Sequence, residues 1–172
     1  SELIGGQISV KTIRDVKYED LLGREEVRLD TDLISKNYEG KRILITGAGG
    51  SIGSELIRQL GKYHPGALAL LDFSEFNLFQ VEIMTRRQFE YIPVDAYLVD
   101  IRDGAKLRRV FLDFKPEVVF HAAAYKHVSM QEGNPWEAVL NNVQGTRNLV
   151  TIAKETGVER FVLISTDKAV RP

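Results

Sequence analysis

The chain has 172 residues, of which 44% are hydrophobic and 27% charged, the balance of a globular domain and not of a disordered or fibrous chain. Its 23 Lys and Arg stand against 24 Asp and Glu, and the formal net charge of −1 excludes nucleic-acid binding through diffuse charge alone. The absence of cysteine removes disulfides, thiolate metal sites and cysteine nucleophiles, and fits a reducing, cytoplasmic setting.

Residues 1–39 are charged and weakly periodic and read as an arm or linker, in which only Tyr18 to Arg24 could nucleate a helical turn. The start Ser1-Glu2-Leu3-Ile4 has no basic region followed by an apolar stretch, and no apolar run approaches the roughly 20 residues needed to cross a bilayer. The chain is therefore expected to make no membrane contact. It stops at Arg171-Pro172 directly after an apolar strand and a polar loop, and is expected to be a fragment.

From Gly40 onward, short β-branched or apolar runs alternate with segments of helical spacing, the mark of βαβ units. The expectation is a Rossmann-type doubly wound parallel sheet over residues 40–172, three layers (α/β/α) deep, truncated after its fifth strand. Strands are predicted at Arg42–Thr46, Ala67–Leu71, Asp95–Val99, Val118–Phe120 and Phe161–Ile164. The inner helix faces are predicted at Ile52, Leu56, Ile57 and Leu60, then Phe76, Phe79 and Ile83, then Leu107, Val110, Phe111 and Phe114. A long helix is expected from Pro135 to Thr156, opened by Asn134-Pro135 and left at Gly157.

Gly47-Ala48-Gly49-Gly50-Ser51-Ile52-Gly53 lies between an apolar strand and an amphipathic helix, where a pyrophosphate meets free backbone N–H groups. The bland alternative is a tight turn that binds nothing. Asp72, about 20 residues on, ends the second strand, where a carboxylate can accept from an adenosine ribose; the alternative is a loop Asp capping the next helix. This favours NAD over NADP, although Ser74 and the Arg86-Arg87 pair leave room for a 2′-phosphate. His121 and His127 lack the neighbours of a zinc motif, so no metal is expected.

These residues resemble the opening fingerprint of the extended short-chain dehydrogenase/reductases. Asp100-Ile101 looks like the adenine-contacting pair, and His121-Ala122-Ala123-Ala124 stands where the family has its small-residue stretch against the cofactor. Asn142-Val143-Gln144-Gly145-Thr146 resembles the Asn-x-x-Gly-Thr segment. The resemblance thus places Gly47, Gly49, Gly50, Ser51, Ile52, Gly53, Asp72, Asp100, Ile101, His121, Ala122, Ala123 and Asn142 at the cofactor.

His121 to Val128, taken with Ser165-Thr166-Asp167-Lys168-Ala169, resembles the polysaccharide-biosynthesis branch of the UDP-N-acetylglucosamine 4,6-dehydratases. Large members of that branch are anchored in the bacterial inner membrane with their catalytic part in the cytoplasm. The resemblance implies oxidation at C4 by hydride transfer to NAD, loss of water across C5 and C6, and return of the hydride to C6. Thr166 is then expected to bond the C4 oxygen, Asp167 to protonate the leaving hydroxyl and Lys168 to take the C5 proton, while Lys126 is assigned to the substrate side. The family's Tyr-x-x-x-Lys or Met-x-x-x-Lys motif and its sugar-binding region would follow Pro172. Two alternatives stay open: a C4 epimerase of the same family, and a non-catalytic NAD(P)-binding module. A homo-oligomer is also left open.

Overall fold

The computed structural model describes residues 30–165. Five strands, β1 (Arg42–Thr46), β2 (Ala67–Asp72), β3 (Val94–Leu98), β4 (Val118–His121) and β5 (Arg160–Leu163), form one parallel sheet in the order β3-β2-β1-β4-β5. Helices α1 (Thr31–Tyr38), α2 (Ser51–Leu60), α3 (Glu75–Gln88), α4 (Gly104–Phe114), α5 (Val128–Gly133), α6 (Pro135–Ala138) and α7 (Thr146–Glu155) accompany it. This is the expected Rossmann-type α/β architecture, and every predicted strand is present with bounds that move by at most one residue.

Alternation along β1 shows why its sequence is an unbroken apolar run. Ile43 and Ile45 pack with Ile57 and Leu60 of α2 and Leu78 and Val81 of α3. Leu44, pointing the other way, packs with Leu107, Phe111 and Phe114 of α4 and Leu149 and Ile152 of α7. Helices cover both faces, so no strand position on β1 or β2 can be polar without a partner. The chain runs outward from β1 through β2 to β3, then returns to β4 on the other side of β1. The carboxyl ends of β1 and β4 thereby bound the crevice at which doubly wound sheets bind ligands.

Four expectations about helices need correction. Ile52 is 48% exposed and does not join the inner face of α2, because it lies in the first turn, beyond the end of the sheet. Phe76 and Phe79 are 71% and 56% exposed, whereas Leu78, Val81 and Thr85 form the buried face of α3. Asn77 packs against the Gly49 backbone, which fixes the rotation of α3 and turns both phenylalanines outward. The Thr85 hydroxyl donates to the Val81 carbonyl at 2.7 Å, so a polar residue is satisfied on that inner face.

The predicted long helix starts at Asn134-Pro135 and is left through Gly157 at φ +75°, but Val139–Gly145 within it is wound as a π-helix. Residues 31–38, read as arm, form α1, whose Tyr38 ring packs 5.6 Å from that of Phe120. Asp32 in its first turn and Lys36 in its last match the helix dipole. The helical turn expected at Tyr18 to Arg24 lies outside the described residues.

Candidate cofactor site

The turn after β1 is built by glycines that tolerate no side chain. Gly47 has φ +66°, and a Cβ on it would lie 2.8 Å from the Ala123 nitrogen. A Cβ on Gly53 would strike the Gly47 carbonyl oxygen, so helix and turn are in direct backbone contact. Gly50 caps α2 without any side chain to occupy its first N–H groups. The amides of Ser51, Ile52 and Gly53 therefore stand at the positive end of the helix with no intrahelical acceptor, a seat for a diphosphate.

Asp72, at the end of β2, is buried. One carboxylate oxygen accepts from the Gly49 N–H and the other from the Ser74 N–H, both at 2.9 Å. The cap of α3 is Ser74, whose hydroxyl accepts from the Asn77 N–H. Asp72 is thus no helix cap; it is fixed at the rim of the cleft with lone pairs remaining for a diol.

Arg86 and Arg87 sit at the other end of α3, and Arg86 Nη2 donates to the carbonyl of Val94, the first residue of β3. That is the opposite end of the sheet from Asp72, so this pair provides no counter-charge for a 2′-phosphate there. The expected room for a 2′-phosphate beside this pair is corrected by the antiparallel course of helix and strand.

Gly47, Gly50, Asp72, Asp100, Ile101, Ala122 and Ala123 line a cleft of about 170 Å³, and Gly49, Ser51, Ile52 and Gly53 complete its glycine turn. Asp100 is clamped by Arg102 through both carboxylate oxygens, which holds its carboxyl below the usual range. Arg102 also binds Glu137 at 2.7 Å, tying this wall to α6. Ile101 packs against Gly145, and its carbonyl accepts from the Asn148 amide.

Two residues expected at the cofactor stand behind the cleft. His121 is buried, with Nδ1 2.7 Å from Thr46 Oγ1 and Nε2 2.8 Å from Thr146 Oγ1. Both ring nitrogens are engaged, and burial pushes its pKa down to about 4, so the imidazole is a neutral strut joining β1, β4 and α7. The Asn142 amide holds both backbone groups of Tyr125, accepting from its N–H at 2.8 Å and donating to its carbonyl at 2.9 Å. The neighbouring Asn141, buried and delivered by the π-turn, lines the cleft in its place.

Ala124 and Tyr125, within the motif quoted from the sequence, also line the cleft, as do Phe73, Asn77 and Val99, which were not singled out as site residues. Lys126 is exposed on a second cleft of about 460 Å³ beside the first, which it shares with His127, Gln131, Asn134 and Glu137. Thr166, Asp167 and Lys168 lie outside the described residues. Among the described residues no group of His, Cys, Asp or Glu is arranged to hold a metal, and no helix is long and apolar enough to cross a membrane.

The cradle of glycines, the uncapped helix start and the fixed carboxylate suit the diphosphate and ribose of a dinucleotide. The small Ala122 and Ala123 leave the floor open to it.

Comparison with known proteins agrees with this geometry. Residues 43–172 match the family described as polysaccharide biosynthesis protein. The chain is 43% identical to the capsular polysaccharide biosynthesis protein CapD of Staphylococcus aureus, with 99% of this chain and 29% of that protein covered. It is 34% identical to a UDP-N-acetylglucosamine 4,6-dehydratase (inverting) of Campylobacter jejuni over 78% of this chain and 39% of that protein. Among solved structures, UDP-glucose 4-epimerase from Bifidobacterium longum, in complex with NAD+ and UDP, superposes with a TM-score of 0.63 at 28% identity, over 75% of this chain and 38% of that one. The chain thus spans less than half the length of these relatives. Motifs, sheet order and similarity over nearly its whole length agree that the chain belongs to the polysaccharide biosynthesis protein family, within the extended short-chain dehydrogenase/reductases.

Proposed function

We propose that the chain is the NAD-binding part of a nucleotide-sugar 4,6-dehydratase that converts UDP-N-acetylglucosamine to a 4-keto-6-deoxy sugar for surface polysaccharide. The observation that carries this reading is the switch-point cleft, where the uncapped start of α2 faces the fixed carboxylate of Asp72. NAD bound there supplies the hydride acceptor for oxidation at C4. The Ser51, Ile52 and Gly53 amides hold its diphosphate and Asp72 its adenosine ribose. A 2′-phosphate would meet the Asp72 carboxylate, which favours NAD over NADP.

Oxidation at C4 acidifies the C5 proton, and elimination then requires a base at C5 and an acid at the C6 hydroxyl. Lys168 and Asp167 take those roles in this reading, with Thr166 bonded to the C4 oxygen and Lys126 on the substrate side. In the parent protein Asp167 must be held protonated and Lys168 neutral, which calls for burial. In this reading the parent protein is membrane-anchored; a relative from Methanocaldococcus jannaschii, 44% identical over 139 residues, carries the name of a membrane protein.

The test is NMR of the full-length protein turning over UDP-N-acetylglucosamine in D2O. A 4-keto-6-deoxy product with deuterium at C5, abolished by Lys168→Ala and Asp167→Asn, supports dehydration. A C4 epimer with an intact C6 hydroxyl would establish epimerisation instead, and cofactor binding without turnover would make the chain a binding module.

A further inference from the structure

Phe73 directly follows Asp72 and leaves its ring 59% exposed at the rim of the cleft, where it fills no part of the core. Across the cleft its ring meets that of Tyr125 edge to face, with centroids 6.4 Å apart and planes at 86°. One ring comes from the end of β2 and the other from the loop after β4, so the contact spans the end of β1, over the glycine turn.

The two halves of this bridge differ in freedom. The backbone of Tyr125 is held at both its N–H and its carbonyl by Asn142. Phe73 stands in a bend between β2 and α3, and nothing but Tyr125 touches its ring among the aromatic contacts of the described residues. A dinucleotide entering the cleft meets this pair at its rim, where Phe73 is the more exposed of the two residues.

We propose that Phe73 is a cofactor-binding residue that closes against Tyr125 as an aromatic strap over the seated dinucleotide and slows its release. This rests on the reading that the cleft holds NAD. A strap suits that reaction, because the hydride taken from C4 returns to C6 and the cofactor has no need to leave between turnovers. Slow release is then compatible with turnover.

The experiment is stopped-flow displacement of NAD from the full-length protein, wild type against Phe73→Ala, Phe73→Tyr and Phe76→Ala. Phe73→Ala is expected to release NAD about 3- to 10-fold faster, the factor that corresponds to an aromatic pair. Phe73→Tyr should retain the wild-type rate. Phe76→Ala, which removes a still more exposed ring outside the cleft, should also leave it unchanged. Because Phe73 is largely exposed, its truncation leaves folding intact, and an unaltered melting temperature checks this. An unchanged release rate in Phe73→Ala, or equal acceleration in Phe76→Ala, overturns the strap while leaving NAD binding standing. Failure of the wild-type protein to bind NAD at all overturns the underlying reading instead.

Discussion

The Asp72 carboxylate accepts a hydrogen bond from the Gly49 N–H at 2.9 Å, which joins the end of β2 to the turn that follows β1. The side chain proposed for the ribose is therefore also tied to the glycine turn proposed as the phosphate seat. Asp72→Asn keeps the shape but removes the charge from these bonds. Charge-assisted hydrogen bonds contribute about 1.5–3 kcal/mol, so NAD is expected to bind about 10- to 100-fold more weakly. NADP should lose less, because the repulsion of its 2′-phosphate is relieved. Calorimetric titration of the full-length protein with both cofactors measures this, and an unchanged preference ratio would remove Asp72 from the specificity argument.

Two glycine substitutions separate close approach from mere composition. A Cβ on Gly53 collides with the Gly47 carbonyl, whereas a Cβ on Gly133, in the last position of α5, meets nothing within 4 Å. Gly53→Ala is expected to lose NAD binding and to destabilise by about 1–3 kcal/mol, the usual cost of overpacking. Gly133→Ala should be neutral or stabilise by up to about 1 kcal/mol, since it reduces the entropy of the unfolded chain. Thermal melts with and without NAD distinguish the pair; equal behaviour would show that the turn adapts to a side chain.

Strand positions and the glycine turn were legible because both rest on local rules. A buried parallel strand must be apolar throughout, and a phosphate seat at a helix start requires glycine at fixed spacing. The inner face of α3 was not legible, since Phe76 and Phe79 form as plausible a stripe as Leu78 and Val81. What selects between them is the contact of Asn77 with Gly49, a tertiary fact. Asn141 and Asn142 were exchanged for a related reason: a π-turn shifts the register of a helix by a fraction of a turn, and a 3.6-residue period does not contain it. His121 was placed at the cofactor by its motif, whereas its two threonine partners lie 75 and 25 residues away along the chain.

Asn142 supports the cleft from behind. Asn142→Ala removes both bonds to the Tyr125 backbone, at about 1 kcal/mol each. The expected outcome is a loss of about 2 kcal/mol in stability, faster amide exchange at Tyr125, and weaker NAD binding. Asn142→Asp retains an acceptor for the Tyr125 N–H but sets a carboxylate against its carbonyl, so it should be no better than alanine. Hydrogen exchange at Tyr125 is the direct readout; protection equal to wild type in both variants would show that this loop is held by other contacts.

His121 gives the fold a defined acid sensitivity. Burial lowers its pKa from 6.5 to about 4, so in the folded protein it resists a proton that the unfolded chain accepts readily. The unfolded state therefore binds more protons between these two values, and stability rises with pH across that window. The contribution is fully present above about pH 6.5 and is lost as the pH falls toward about 4, by which point the loss has reached about 3 kcal/mol. Urea unfolding at pH 7, 5.5 and 4.5 should show this decline in the wild-type protein. His121→Gln, which keeps a donor and an acceptor between Thr46 and Thr146 but does not titrate, should flatten it. The carboxylates contribute their own acid dependence in both proteins, so the difference between the two curves isolates the imidazole. Parallel curves across that range would mean that His121 accepts its proton in place, through rearrangement of the two threonine hydroxyls, and that the strut survives protonation.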